Sequence, residues 1–591
     1  MGSLLAKIVN SNWACPLVLV VTAMAYVGAL GADFVWDDFP LIVENPRVHS
    51  LGQWQAWFTE DLWAIEGVSS GSGFYRPLVL ASFAADEAVW GMNPLGFHLQ
   101  SLLWHLGCVW LLFQLLETLV DRRSAWVAVA VFALHPALSE SVIWIAARND
   151  LMATAFLLGM LLNLSGGRPR PVNLVLGWGC FLAALLSKES SVVGMGLLVC
   201  LDWARWGHLR GFRRYAGLGG TLLVWWWLRS TAGVSTGDLD LDAGLSLLAE
   251  NGDQVLGIYA RLLFWPFDLS VGRSLEYLSE PSLLTMVGLL GFGGMMAIAM
   301  VRGRRLALAG ILFAAMSIAP AALAVASKAQ IGERYLYLPL VGLSVVLASV
   351  VQRQNTQRMG VGLLMILAVG FAGIQKRTAE WADELSLWTA ATTTDPSPYT
   401  WGNLGHMHNR RAEVLSERGA PEESVHRLQA MDALERSFHH ALPYHDNCSA
   451  LVRVPFRARD FERSLRHLKI GEDAGCLNHP SQGPDFAGLK GVVLAVNGHW
   501  ENALEALPAA LDDPGGRGEV LRGALLLLEG SKRLTLPPLR SFCGSRPESK
   551  EDALVYDASV QRLLMANGLA VEAIFDDNDS AALFCSRSGH Q

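Results

Sequence analysis

The chain has 591 residues, 52% of them hydrophobic and 17% charged, with a mean hydropathy of +0.31 and a formal net charge of −8. It is too apolar and too poor in charge for an ordinary soluble protein, and its acidic balance argues against a nucleic-acid partner. The 21 tryptophans suit aromatic belts at two membrane–water interfaces.

The apolarity is uneven. Long apolar runs fill residues 1–375, whereas 376–591 reads as a soluble domain. Lys7 followed by the run Pro16–Ala32 resembles a signal peptide, but the run is longer than a signal core and more spans follow, so it reads as an uncleaved first helix. Apolar spans are expected at 15–32, 98–119, 125–143, 150–165, 172–187, 190–204, 215–229, 283–301, 306–325, 335–351 and 359–374. Several are short for a 30 Å hydrocarbon core, and so are read as tilted, broken or buried in protein. Basic residues follow every even-numbered span: Arg122 and Arg123, Arg168 and Arg170, Arg205 to Arg214, Arg302 to Arg305, and Arg353 with Arg358. Positive residues stay on the cytoplasmic side, which gives eleven spans, a cytoplasmic N-terminus and an extracytoplasmic C-terminal domain.

That orientation collects the unusual polar stretches on the outer face. The first is Phe34, Val35, Trp36, Asp37, Asp38, opening the loop 33–95. Adjacent carboxylates at a helix exit suit a general base with a partner, and read equally as charges that end a helix. Next come Tyr75, Arg76 and Pro77, then Asn93 to His98, with His105 further into the span and read as a hydrogen-bonded core histidine. His135 to Glu140 lead to Arg148, Asn149 and Asp150, and Ser187, Lys188 and Glu189 follow. Asp238, Asp240 and Asp242 read as a solvated acidic loop, and Glu333, Arg334, Tyr335, Leu336, Tyr337 close the set. Ionisable groups near hydrocarbon are costly and face a cavity or a partner. There is no CxxC or HExxH spacing, no P-loop and no convincing dinucleotide fingerprint.

In 376–591 a tetratricopeptide-like unit is expected over Asp485–Pro514, with Gly491, Ala503, Leu507 and Ala510 where two helices pack. An earlier unit opens at Trp401, Asn403, Leu404 and Gly405 and closes at Phe438, Ala441 and Pro443, with a weaker one over Asn447–Cys476. Helical repeats of this kind bind peptides or partner proteins through a concave face. Cys15, Cys108, Cys180 and Cys200 lie in apolar spans as packing residues, whereas Cys448, Cys476, Cys543 and Cys585 admit one or two disulfides of undetermined pairing.

Taken in order, FVWDD, YRPL, NPLGFH, HPALSESVIWIAARNDL, LLSKES and ERYLYLP resemble the transmembrane and TPR-containing O-mannosyltransferases, in a bacterial-type form, within the GT-C class of polyprenyl-phosphate-sugar-dependent glycosyltransferases. Ala147, Arg148, Asn149, Asp150 stand where the family has a Gly-Arg-Ala-Asp run, and the repeat region is short. The resemblance implies a mainly α fold: a GT-C-like bundle of about eleven transmembrane helices over 1–375, then an extracytoplasmic TPR-like domain over 376–591. It implies an integral membrane glycosyltransferase that moves mannose from a polyprenyl phosphate to Ser or Thr of exported proteins with inversion. Asp37 would be the base and Asp38 would orient the base or the acceptor. Arg148 and Arg334 would hold the lipid phosphate, since a guanidinium binds it bidentately. Arg76, His98, His135, Glu140, Asp150, Lys188, Glu189, Glu333 and Tyr337 would shape the pocket. The donor is itself the substrate and no cofactor is implied; a carboxylate pair can bind a divalent ion, but none is favoured. The partners implied are the lipid-linked sugar, an acceptor or assembly protein on the repeats, and the membrane, with the bacterial inner membrane and a periplasmic C-terminal domain favoured. A GT-C transferase acting on a lipid or surface glycan, and a non-catalytic scaffold or transporter, are the alternatives; internal symmetry of the transporter kind is not evident.

Overall fold

A computed structural model describes residues 13–64, 73–234, 241–267, 269–274, 304–328, 330–352, 356–439, 447–458, 460–479 and 483–496, with scattered positions at 286–297 and 502. The span at 283–301, the acidic loop's Asp238 and Asp240, Ala441, Pro443, the repeat positions from Ala503 on, and Cys543 and Cys585 lie wholly or largely outside these residues. The chain divides into two compact units, one ending at Asp395 and the other starting at Pro396.

The first unit is mainly α. Its helices are α1 (Ala14–Tyr26), α2 (Trp54–Thr59), α3 (Pro77–Trp90), α4 (Pro94–Glu117), α5 (Arg122–Ala133), α6 (Ser139–Ile143), α7 (Arg148–Leu164), α8 (Pro171–Leu185), α9 (Gly194–Trp206), α10 (Phe212–Thr231), α11 (Leu241–Phe264), α12 (Arg305–Lys328), α13 (Tyr337–Val351), α14 (Thr356–Glu380) and α15 (Glu384–Thr394). Two short strands, β1 (Arg273–Ser274) and β2 (Gln330–Ile331), pair antiparallel. Among the described residues, Pro94–Glu117, Ile145–Leu164 and Glu333–Val351 are long and apolar enough to cross a membrane. Arg122–Ala133 and Pro136–Ile143 meet at 57° and make a fourth crossing if the bent pair is one span. Shorter apolar helices lie at Cys15–Gly31, Pro171–Leu185 and Arg305–Pro320. These segments mark a membrane protein, and the described residues carry three or four candidate crossings.

Local chemistry explains where the helices begin. Pro94 and Pro171 occupy first-turn positions, where a missing N–H costs nothing, and Asn93 and Asp121 accept backbone amides as N-caps. The bend between α5 and α6 falls at Leu134–Pro136, where proline cannot supply the next helical hydrogen bond. His135 caps the following turn by accepting the Ala137 N–H. Helices α12 and α13 pack at glycines: a Cβ on Gly310 would lie 2.6 Å from the Gly342 carbonyl oxygen, and one on Gly342 would lie 2.6 Å from that of Gly310. In lipid, where hydrophobicity does not drive helices together, such close approach supplies the packing. His105 ties three helices, with Nδ1 2.6 Å from the Tyr337 hydroxyl and Nε2 3.3 Å from the Ala133 carbonyl, as befits the core histidine expected from the sequence.

The described part of the second unit is also helical: α16 (Pro398–Glu417), α17 (Glu423–Arg436), α18 (Cys448–Arg457), α19 (Phe461–Asp473) and α20 (Gly483–Val496). Ser397 and Thr400 form a capping box at the start of α16. Gly405 lets α16 approach Leu434 of α17. Cys448 and Cys476 form a disulfide, closing a core with Met431, Leu434, Leu451, Phe486 and Val493.

Candidate active site

The loop after α1 turns sharply at Trp36, whose φ of 55° is the one positive value at a non-glycine among the described residues. The turn gives its two carboxylates opposite fates. Asp38 is fully buried; its Oδ2 accepts the Val35 N–H at 3.1 Å and its Oδ1 accepts the Ala146 N–H at 2.8 Å, which fastens the loop to the start of α7. Asp37 is partly exposed, and its carboxylate has no hydrogen-bond or ion-pair partner among the described residues. Burial pushes Asp38 up to about 8, against the pull of the two amides and Arg148. Burial pushes Asp37 up to about 6, with Arg334 pulling the other way. Near neutral pH, Asp37 is therefore the ionised member of the pair, with a basicity suited to accepting a proton.

Opposite this loop lies the turn before α13. Glu140 of α6 is 1% exposed and organises it. Its Oε2 accepts the backbone N–H groups of Glu333 and Arg334, and its Oε1 accepts Arg334 Nη1 at 2.5 Å. The guanidinium lies 5.1 Å from the Trp144 ring and 4.9 Å from that of Tyr335. One edge of Arg334 is thus neutralised, and its Nη2 and Nε have no protein partner among the described residues. Gly332 leaves room for it, since a Cβ there would meet Arg334 Nη1 at 2.6 Å. Glu333 faces away, with Oε2 accepting Arg377 Nη2 at 2.8 Å and Oε1 accepting the Ser270 N–H. A second cation closes the group: Lys188 Nζ lies 2.5 Å from Asp150 Oδ1 and 5.3 Å from the Tyr335 ring centroid.

Asp37, Glu140, Arg334 and, across Tyr335, Lys188 and Asp150 therefore form one neighbourhood with Asp38 beneath it. Glu333 is its outer brace. The other expected residues do different work. Arg148 is fully buried and engaged within the protein, with Nη1 on Asp86 at 2.5 Å and on Ser82, Nη2 on the Phe97 carbonyl and Nε on Ser101. Tyr337 is likewise fully buried, with its hydroxyl 2.6 Å from His105 Nδ1. Arg76 and Glu189 pair at 3.0 Å, and Glu189 also accepts the Tyr75 N–H, so they staple the first loop to the α8–α9 turn. His98 is 2% exposed beside the backbone of Ala32, Asp33 and Ile143, under the loop rather than on it.

His135 bonds the Leu263 carbonyl and lines a cavity of about 910 Å³ walled by Val127, Phe132, Leu263, Leu340 and Ile366, with Arg304 also in its lining. Among the described residues no three His, Cys, Asp or Glu side chains are grouped to hold a metal ion.

Sequence reasoning missed four contributors. Arg377 and Glu380 lie just past the compositional boundary at 375, yet Arg377 joins Glu333, Glu380 and Ser139. Trp36 and Trp144 stack at 4.7 Å with planes 14° apart. Both tryptophans were visible within the quoted motifs; their pairing, 108 positions apart, left no local signal.

Comparison with known proteins gives a consistent picture. Over 184 residues the chain is 36% identical to the protein O-mannosyl-transferase Tmtc1 of Drosophila melanogaster, covering 30% of this chain and 21% of that protein. It is 35% identical over 205 residues to Tmtc2 of the same fly, covering 32% and 21%. A protein O-mannosyl-transferase of Caenorhabditis elegans matches more of it, 24% identical over 436 residues, with 69% of this chain and 61% of that protein covered. The chain resembles the protein O-mannosyl-transferases. It spans about a fifth of the length of the two fly proteins and 61% of the worm protein. No family model and no solved structure matches it.

Proposed function

We propose that the chain is a membrane protein O-mannosyltransferase that takes mannose from a polyprenyl phosphate and delivers it, with inversion, to Ser or Thr hydroxyls of exported proteins. The observation that carries this is the pairing of an unpartnered, ionisable carboxylate at Asp37 with a half-satisfied guanidinium at Arg334, in a chain whose relatives are named for this activity. The hydroxyl oxygen attacks the anomeric carbon while its proton passes to Asp37. The bond from that carbon to the phosphate oxygen breaks, and the polyprenyl phosphate leaves with the electron pair. Arg334, through its free edge, and Lys188 stabilise the charge that grows on that phosphate. Asp38 holds the loop, and Glu140 sets the angle of Arg334. The isoprenoid tail stays in the bilayer and along the apolar cavity beside α5 and α13, which is why no nucleotide loop is needed. The Cys448–Cys476 disulfide supports an oxidising compartment for the second unit, and a repeat-like array there would present the acceptor protein. A multi-pass chain of the bacterial inner membrane, with its N-terminus cytoplasmic and its second unit periplasmic, fits that arrangement.

The test is transfer from radiolabelled mannosyl polyprenyl phosphate in purified membranes, comparing wild type with Asp37→Asn at matched expression. Label in protein that vanishes in the variant supports the reading. Label confined to lipid or glycan moves the acceptor class, and no Asp37-dependent transfer from any lipid-linked sugar removes the enzymatic reading.

A further inference from the structure

Trp36 stands out. A bulky residue at positive φ is a genuine outlier, so the surroundings must hold it there. Three contacts do so. The Trp36 N–H donates to Glu384 Oε1 at 3.3 Å, across 348 positions of sequence. The indole stacks on Trp144 at 4.7 Å, and it meets Trp388 edge-on at 5.7 Å. Two of these partners, Glu384 and Trp388, sit on α15, which follows the last long helix of the first unit. The neighbouring Asp33 N–H donates to the Ala382 carbonyl at 2.9 Å, so the same segment grips the loop twice. Trp144 in turn lies under Arg334.

We propose that Glu384 and Trp144 are positioning residues for the transfer: Glu384 latches Trp36 in its left-handed turn so that Asp37 is presented to the acceptor, and Trp144 gives the base loop and Arg334 one common support. Nothing in the turn itself favours this shape. Glycine would adopt it without strain, and the tryptophan is kept because its ring is the piece that is clamped. On Trp36 the latch needs an acceptor at Glu384, because the group it holds there is a neutral backbone N–H. Trp144 needs a flat ring, because Trp36 stacks on it and the Arg334 guanidinium lies 5.1 Å from its centroid.

This inference rests on the proposed transfer reaction, and its test separates the two. In the full-length protein in membranes, Glu384→Ala is expected to lower kcat for mannosyl transfer about 10- to 100-fold, the scale of a misplaced catalytic group, with the KM for mannosyl polyprenyl phosphate unchanged. Glu384→Gln, whose amide oxygen still accepts the Trp36 N–H, is expected to restore kcat to within about twofold. Trp144→Leu is expected to lower kcat and raise the donor KM together, and Trp144→Phe to recover part of both. Hydrogen exchange in peptides spanning Asp33–Leu41 is expected to speed up in Glu384→Ala and to match wild type in Glu384→Gln. Wild-type kcat in Glu384→Ala, an equal loss in Glu384→Gln, or unchanged exchange in Glu384→Ala would each overturn the latch. If wild type transfers no mannose, the functional reading fails, and the exchange measurement still decides whether Glu384 holds the loop.

Discussion

Helix α7 carries a charged cluster at each end, and the two are built on different terms. At its C-terminal end, Asp202 is fully buried with both oxygens committed: Oδ1 to Arg214 Nη1 at 3.3 Å, Oδ2 to the Arg210 N–H at 3.0 Å and the Tyr215 hydroxyl at 2.9 Å. Arg214 also donates to the Leu164 carbonyl that ends the helix, and Arg205 reaches the Ser165 carbonyl and Thr118. At the N-terminal end, Asp150 meets Lys188, but Asp37 lacks a partner and Arg334 is engaged along one edge only. Buried charge whose acceptors are all used secures helix ends. At the other end it is a carboxylate, that of Asp37, that has no hydrogen-bond or ion-pair partner among the described residues, and it sits on a strained turn, an arrangement suited to meeting something outside the protein.

Substitution at the two ends should separate these roles. The largest effect is expected from Asp37→Asn: a loss of at least about 100-fold in transfer, the usual scale of a general base, with the melting temperature in detergent unchanged. Asp202→Ala is expected to do the reverse. Leaving Arg214 buried without its carboxylate costs about 3–5 kcal/mol, read as a lower melting temperature and yield, while activity per folded molecule stays near wild type. Equal behaviour of the two variants would dissolve the distinction.

Smaller effects sharpen it. Arg334→Lys keeps the charge but not the planar fork, and is expected to raise the donor KM about tenfold without destabilising the fold. Gly332→Ala should mimic it, because the added Cβ displaces the guanidinium and leaves the backbone alone. The pH–rate profile should show an acid limb near 6: Asp37 must be ionised to take a proton, so activity falls as pH drops through that value. The smallest effect concerns Asp38. Its folded pKa is raised from 3.8 to about 8, so the stability it contributes is fully present below about 4 and is lost progressively as pH rises from there to about 8. The Asp38 contribution to the melting temperature should decline between about pH 4 and 8 and level off above that, and the decline should be smaller in Asp38→Asn.

Much of the candidate site was legible because its members sit in compact motifs. Asp37 and Asp38, Glu140, Lys188 and Arg334 could all be found by asking which ionisable groups lie at outward span ends. Their division of labour could not, since it depends on partners far away in sequence. Nothing around Arg148 announces that Asp86, Ser82, Ser101 and Phe97 will exhaust its donors, and nothing near Trp36 announces Glu384. Composition changes where the apolar runs stop, near 375, whereas α14 continues to Glu380 and carries Arg377 into the first compact unit. The helical class and several apolar spans followed directly from hydropathy.

Helix α7 also limits how this chain can vary in length. Its 17 residues join the Arg148–Asp150 end to the Leu164 end as one rigid rod. An added or deleted residue within it would turn one end against the other by about 100° and shift it by about 1.5 Å. Both clusters could not then keep their partners at once. Length differences between natural versions of the chain should therefore spare α7 altogether.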